Sequence, residues 1–187
     1  MERTRVLLIN GSERDERTGR MIDLAKELLE ADGLDVDLLD PALHRTADVY
    51  EKWLFSHAVM VIAPAGSSAI AQRFKPAIDR LTAAGYSAHF ADRAYGVVVH
   101  GHSTAIDSTR PVLTGWLDAM GMVDSDSFAT LDRHVGYREA ALDESTPDGD
   151  DDWQKEVSNV AGAVRNAVTE LRAGRLSPPE RRARAAA

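Results

Sequence analysis

VLLINGSERDERTGRMIDLAKELL, residues 6–29, contains a short apolar run, a polar turn and an amphipathic segment in immediate succession. Residues 5–9 are almost continuously apolar, which is typical of a strand buried on both faces of a sheet. From residue 19 to residue 31 the apolar side chains recur every three or four positions, which predicts a helix that buries one side. This order of elements is the first half of a β-α-β unit.

The same alternation continues along the chain and indicates one α/β domain over residues 1–174, followed by a flexible tail at 175–187. Because helices between strands require crossover connections, the strands should form a parallel sheet covered on both faces. Five strands in one such domain favour a flavodoxin-like three-layer sandwich with strand order 2-1-3-4-5. The predicted strands cover residues 5–9, 34–39, 58–63 and 95–99, with a fifth within 122–130. The predicted helices cover residues 19–31, 48–55, 71–84, 108–120 and 153–172.

Composition excludes several classes of function. The chain has 187 residues, a formal net charge of −8 and no cysteine, so a nucleic-acid partner, a disulfide framework and thiolate chemistry are not expected. No apolar segment approaches the roughly 20 residues needed to span a bilayer. The five apolar residues near the start resemble a strand more than a signal peptide. A cytoplasmic protein without a membrane partner is predicted.

An acidic segment, DESTPDGDDD at residues 143–152, admits two interpretations. A solvated loop would place negative charge before the next helix, where the helix dipole favours it. A metal site would need ligands at alternate positions and a closing glutamate, which the segment lacks. We therefore expect no metal.

Three predicted loops meet at the edge of the sheet where parallel strands end and where ligands bind in this architecture: residues 10–19, 64–71 and 100–108. The first is the most informative, because a helix N-terminus attracts anions. Ser12 and Thr18 can donate hydroxyl hydrogens, and Arg14 and Arg17 can pair with phosphate oxygens.

The glycine pattern limits which phosphate this first loop can hold. Only Gly11 and Gly19 occur in it, so neither the dinucleotide fingerprint nor the Walker A motif is present. A monophosphate is therefore more plausible than a pyrophosphate. The alternative is an ordinary helix start with solvent-facing charges. Asp15 and Glu16 favour that alternative unless they turn outward.

Several motifs, taken in order, resemble one family. They are strand–GS-x-R–helix at residues 6–24, AVMVIAP with AQRFKPAIDRL at 58–64 and 71–81, VVVHGHS at 97–103, GWLDAMGM at 115–122 and HVGYREA at 134–140. The chain is similar to the NADPH-dependent FMN reductases and the flavodoxin-like NAD(P)H:quinone oxidoreductases.

This resemblance implies an FMN-dependent enzyme that takes electrons from NADPH or NADH and reduces a quinone or similar small acceptor. It also implies a homodimer or homotetramer. The FMN phosphate would be held by Ser12, Arg14, Arg17, Thr18 and Gly19. The isoalloxazine would be flanked mostly by backbone of Pro64, Ala65, Gly66, Ser67, Ser68, His100, Gly101, His102 and Ser103.

The two histidines after the fourth strand admit two roles. Strand alternation directs His100 and His102 to the same side, and Gly101 between them permits close approach of a ligand. One of them should hydrogen-bond a neighbouring loop. His102 is the candidate catalytic residue, because it could polarise the acceptor or hydrogen-bond the flavin.

One departure from the family leaves alternatives open. Many relatives have an aromatic-rich loop where this chain has Pro64-Ala-Gly-Ser-Ser68, so a ring that walls the flavin is missing. An electron carrier, or a flavin-free scaffold that binds another small molecule in the same pocket, would also fit. Tyr86, His89 and Tyr137 are expected at the pocket mouth or at an oligomer contact, whereas Trp53 and Trp116 are expected in the core.

Overall fold

A computed structural model describes residues 4–12, 15–41, 43–101, 103–128 and 150–174. Its strands are β1 (Arg5–Asn10), β2 (Asp35–Leu39), β3 (Ala58–Pro64), β4 (Ala94–His100) and β5 (Val123–Asp124). Its α-helices are α1 (Glu16–Ala31), α2 (Thr46–Leu54), α3 (Ser67–Ala83), α4 (Ser103–Ala119) and α5 (Asp150–Arg172). Short 3₁₀ helices at Ser87–Phe90 and Ser125–Phe128 precede β4 and follow β5.

The five strands form one parallel sheet in the order β2-β1-β3-β4-β5, which confirms the predicted topology. Val6 of β1 is level with Ala58 of β3, and Pro64 at the end of β3 is level with His100 at the end of β4. The order reverses between β1 and β3, so the crevice beyond their carboxyl ends is the topological switch point.

Helices cover both faces of the sheet, so the domain has the three layers that the sequence predicts. Alternate residues of each central strand face opposite cores, as Leu7 and Leu8 of β1 do. Side chains from α2, α3 and α4 fill one core, including Trp53 and Phe74. Side chains from α1 and α5 fill the other.

The helices begin earlier than apolar periodicity indicates, by three residues in α1, four in α3 and five in α4. Each of these helices begins with polar residues, Glu16–Thr18 in α1, Ser67–Ser68 in α3 and Ser103–Thr104 in α4, so the apolar pattern starts later than the helix does. The predicted loops are correspondingly shorter. Arg17, Thr18 and Gly19 belong to α1, not to a loop.

Other predicted details change as well. The fifth strand is only two residues long. Val112 is 46% exposed although it is apolar, because the buried stripe of α4 runs through Leu113, Leu117 and Met120. Asp150–Asp152 of the acidic segment lie in the first turn of α5, while residues 143–149, the motif at 134–140 with Tyr137, and the tail at 175–187 lie outside the described residues.

Candidate functional site

The turns after β1, β3 and β4 meet at the carboxyl edge of the sheet, as the sequence predicts. Gly11 links the first turn to β3, since its backbone N–H donates to the Ile62 carbonyl over 2.8 Å. A Cβ on Gly11 would lie 2.4 Å from the Ala63 Cβ. This position therefore requires glycine for close approach of β1 to β3. Ser12 follows directly, half-buried, with its N–H donating to Asn10 Oδ1.

Asp15 caps the N-terminus of α1. Its carboxylate accepts a hydrogen bond from the Arg17 backbone N–H, with Oδ1 2.9 Å from the nitrogen. Aspartate is a preferred N-cap residue because it pairs with an amide that has no partner within the helix. The carboxylate thus points toward the helix end and does not turn outward. An aspartate directly before the first residue of a helix is a recognisable helix-start signal, and Asp15 marks the true beginning of α1 in this way.

Thr18 and His100 connect the first and third turns. Thr18 Oγ1 lies 2.8 Å from His100 Nε2, and the threonine side chain is completely buried. The same imidazole nitrogen lies 3.4 Å from Asp15 Oδ2. One histidine is predicted to hydrogen-bond a neighbouring loop; His100 makes such a contact, but its partner Thr18 lies in the first turn of α1. The hydroxyl of Thr18, predicted as a phosphate donor, is engaged by the imidazole.

Burial is the largest influence on the pKa of the His100 imidazole, and it lowers that pKa. The Asp15 carboxylate acts in the opposite direction, while the Arg17 guanidinium acts with burial. Because the ordinary histidine pKa is already about 6.5, the ring is neutral at neutral pH. Its contact with Asp15 is therefore a polar contact, not an ion pair, under those conditions.

Arg17 supplies the positive charge of the site. Its side chain is half-buried, and within the described part of the chain no ion pair involves its guanidinium. Gly19, one turn further along α1, is exposed, and a Cβ there would have no neighbour within 4 Å. Arg17 can pair with an anion, whereas Gly19 lies in the helix beside it.

The turn after β3 is held by two hydrogen bonds. The Ala65 N–H donates to the His100 carbonyl over 2.6 Å, and the Gly66 N–H donates to Thr109 Oγ1 over 3.2 Å. Two backbone donors predicted for the flavin are therefore already paired. Thr109 of α4 is 7% exposed and is absent from the sequence prediction, because nothing in the pattern links it to a turn 43 residues earlier.

Two glycines with positive φ lie in the turns after β3 and β4, the turns predicted to flank the isoalloxazine. Gly66 has a φ of 126° and Gly101 a φ of 137°, a region that side chains disfavour. A Cβ on Gly101 would lie 2.9 Å from the Ala65 Cβ. The absence of a side chain at Gly101 thus lets the turn after β4 approach the turn after β3 closely, whereas a Cβ on Gly66 would have no neighbour within 4 Å.

The remaining predicted site residues fall into three groups. Arg14 and the catalytic candidate His102 lie outside the described residues, and for Ser67, Ser68 and Ser103 the structure describes only the helical backbone. Pro64 is the last residue of β3 and lies half-buried at the edge.

Tyr86 and His89, predicted at the pocket mouth or at an oligomer contact, do not lie at the mouth. Tyr86 and His89 precede β4, at the opposite edge of the sheet from the three turns. Tyr86 stacks on Tyr50, with the ring centroids 4.1 Å apart, and the Tyr50 hydroxyl lies 2.8 Å from His89 Nδ1. Their assignment to the mouth is wrong, because the 3₁₀ helix at Ser87–Phe90 leads into the amino end of β4.

Across the described ranges, no cluster of three or more histidine, aspartate or glutamate side chains is arranged to hold a metal ion. Within the same ranges, no helix has the length and apolar character needed to cross a bilayer.

Comparison with solved structures identifies the fold. A diflavin flavoprotein A3 from Nostoc sp. is 14% identical, with a TM-score of 0.62 over 94% of this chain and 100% of that chain. A flavodoxin mutant from Pseudomonas aeruginosa is 16% identical, with a TM-score of 0.59 over 87% and 99%. A flavodoxin, WrbA-like protein from Agrobacterium tumefaciens is 15% identical, with a TM-score of 0.55 over 88% and 98%.

Sequence comparison identifies the family. No curated protein matches the chain by sequence. The family model of the NADPH-dependent FMN reductases matches residues 4–133, which include all three turns of the site. Because that match spans more than half of the sequence, the chain belongs to the NADPH-dependent FMN reductase family and is a flavin-associated oxidoreductase.

Proposed function

We propose that this protein is an FMN-dependent NAD(P)H oxidoreductase that reduces a quinone or similar small acceptor. The observation that carries the proposal is the convergence of the turns after β1, β3 and β4 at the topological switch point, within the segment matched by the family. In sheets of this order FMN binds at the β1/β3 switch point. The hydrogen bonds of His100 to Thr18 and Ala65 hold these turns together.

The phosphate end of the site fits FMN in part. Ser12 and Arg17 would hold the phosphate, since a hydroxyl and a guanidinium are strong partners for its oxygens. The N-terminus of α1 adds its dipole. Asp15 does not fit as it stands, because its carboxylate already accepts the Arg17 amide and carries the same sign of charge as the phosphate.

The ring end of the site is made of backbone. A Cβ on Gly66 would have no neighbour within 4 Å, so space is open beside this turn. The amides in the first turn of α3 are backbone donors without partners inside that helix. When bound, FMN supplies the hydride chemistry. The fixed dipoles around the ring stabilise negative charge that develops there. Thr109 orients the start of α3 by accepting the Gly66 N–H.

An absorbance spectrum tests the proposal most directly. The spectrum of the protein is recorded as purified and again after incubation with FMN and desalting. Oxidation of NADPH and of NADH is then assayed with a soluble quinone. We expect flavin absorbance after FMN addition and quinone-dependent oxidation of at least one nicotinamide. Arg17→Ala should reduce FMN uptake, since a hydrogen bond to a charged group is worth about 1.5–3 kcal/mol.

Two results would contradict the proposal. Protein that takes up no FMN under any condition would support the flavin-free scaffold instead. Protein that holds FMN but oxidises neither nicotinamide, with or without quinone, would support an electron carrier. The net charge of −8 favours the carrier as the second candidate, since acidic carriers dock on basic partners. That candidate predicts flavin reduction only in the presence of a separate reductase.

The proposal includes a homodimer or homotetramer, on the evidence of family resemblance. Light scattering coupled to size-exclusion chromatography measures the mass directly. A monomeric mass at all concentrations would contradict this part of the proposal and leave the activity untouched.

A further inference from the structure

The carboxylate of Asp15 already occupies the N-terminus of α1. Asp15 Oδ1 accepts the Arg17 N–H at 2.9 Å, and Asp15 Oδ2 lies 3.4 Å from His100 Nε2. The side chain is only 32% exposed. Both carboxylate oxygens therefore have contacts at the start of the helix where the proposed function places the FMN phosphate.

A phosphate and this carboxylate cannot use the same donor at once. The amide of Arg17 has one hydrogen, and Asp15 accepts it. The two groups also repel each other, because a carboxylate and a phosphate monoester are both negative at neutral pH. A phosphate must either displace the carboxylate from the helix end or bind beside it.

We propose that Asp15 is an internal competitor of the FMN phosphate and makes FMN a weakly held, exchangeable ligand of this protein. The inference rests on the proposed function, because it concerns the same site. The affinity of the site for FMN is then the balance between Arg17, which attracts the phosphate, and Asp15, which opposes it. Flavins without a phosphate experience no such opposition.

The neighbouring acidic residue provides a matched control. Glu16 lies in the same turn of α1 and carries the same charge, but its side chain is exposed. Water and salt screen an exposed charge far more than a half-buried one. Neutralising Glu16 thus changes the net charge of the protein equally without removing the competitor.

The experiment measures the dissociation constants of FMN and of riboflavin, which has the same ring and no phosphate, for wild type, Asp15→Asn and Glu16→Gln by quenching of flavin fluorescence. Asparagine is as good an N-cap as aspartate, so α1 is retained. Asp15→Ser, which also keeps a capping oxygen and removes the charge, is a second variant. Thermal unfolding of each protein without flavin verifies folding.

We expect Asp15→Asn and Asp15→Ser to bind FMN at least tenfold more tightly than wild type, a gain of about 1.4 kcal/mol. Riboflavin affinity should stay within about twofold in every variant, and Glu16→Gln should bind FMN within about threefold of wild type. FMN affinity unchanged in both Asp15 variants, or raised equally by Glu16→Gln, would overturn the inference and leave the proposed function standing. Failure of every variant to bind FMN or riboflavin would overturn both.

Discussion

Replacement of Gly11 by alanine tests whether the site depends on close contact between the ends of β1 and β3. The added Cβ would lie 2.4 Å from the Ala63 Cβ, 2.9 Å from the Ala63 Cα and 3.0 Å from the Ile62 carbonyl oxygen. None of these atoms can move by side-chain rotation, because they are part of the backbone or attached directly to it. The backbone of β1 or β3 must shift to admit the methyl group.

The size of the effect follows from two opposing contributions. An extra methyl in a well-packed interior costs about 1–3 kcal/mol, and the rigid neighbours place this position at the upper end. Alanine also restricts the unfolded chain more than glycine does, which stabilises the folded state by up to about 1 kcal/mol. The net destabilisation is about 2 kcal/mol, which lowers the melting temperature by about 4–8 °C for a domain of this size.

Thermal and urea unfolding of Gly11→Ala measure the loss, with Gly115→Ala as the matched control. Gly115 is exposed within α4, and a Cβ there meets no atom within 4 Å. That substitution should stabilise the protein by about 0.5–1 kcal/mol, the cost of glycine in a helix. Adding Ala63→Gly to Gly11→Ala should give a loss smaller than the sum of the two single losses. Equal or higher stability of Gly11→Ala would refute the steric reasoning.

Two further predictions concern the contacts between the turns. Burial lowers the pKa of His100, so as the pH falls the unfolded chain binds a proton at this histidine before the folded protein does. The free energy of unfolding should therefore decline below about pH 6.5. In urea unfolding, His100→Gln should reduce the slope of that decline by up to about 1.4 kcal/mol per pH unit. An identical slope in both proteins would contradict the assignment. Thr109→Val leaves the Gly66 amide without its acceptor and should destabilise the protein by about 1–3 kcal/mol. Thr109→Ser keeps a hydroxyl and should lose less than half of that stability. Equal losses for the two variants in urea unfolding would show that the hydroxyl is not the cause.

The sheet and its cores are predictable from sequence because burial leaves a strong pattern. Residues 58–63 are apolar at every position, and the structure buries all of them. Phe74, Ala77, Ile78 and Leu81 recur at the helical spacing that predicts one buried face, and all four are buried. Strand order then follows from the rules for parallel crossovers.

The site was predictable only as a set of turns. Which groups pair across it depends on residues far apart in sequence, such as Thr18 and His100, which are 82 positions apart. Apolar periodicity also cannot register the polar residues with which α1, α3 and α4 begin, so it assigned Arg17 and Ser67 to loops. The cap at Asp15 was available to local sequence rules and corrects the start of α1.

The position of α5 at the end of the described chain has a consequence for biosynthesis. Val157, Val160, Val164 and Val168 of this helix are all buried in the core that contains Val6, Leu8, Met60 and Ile62. Every described strand of the sheet is translated before α5, so of the two described helices that cover this face only α1 is present while residues 129–172 are still being made. At synthesis rates of about 5–20 residues per second, the interval lasts about 2–9 seconds. The nascent protein therefore passes through a stage with an open apolar surface, when a chaperone has its best opportunity to engage it.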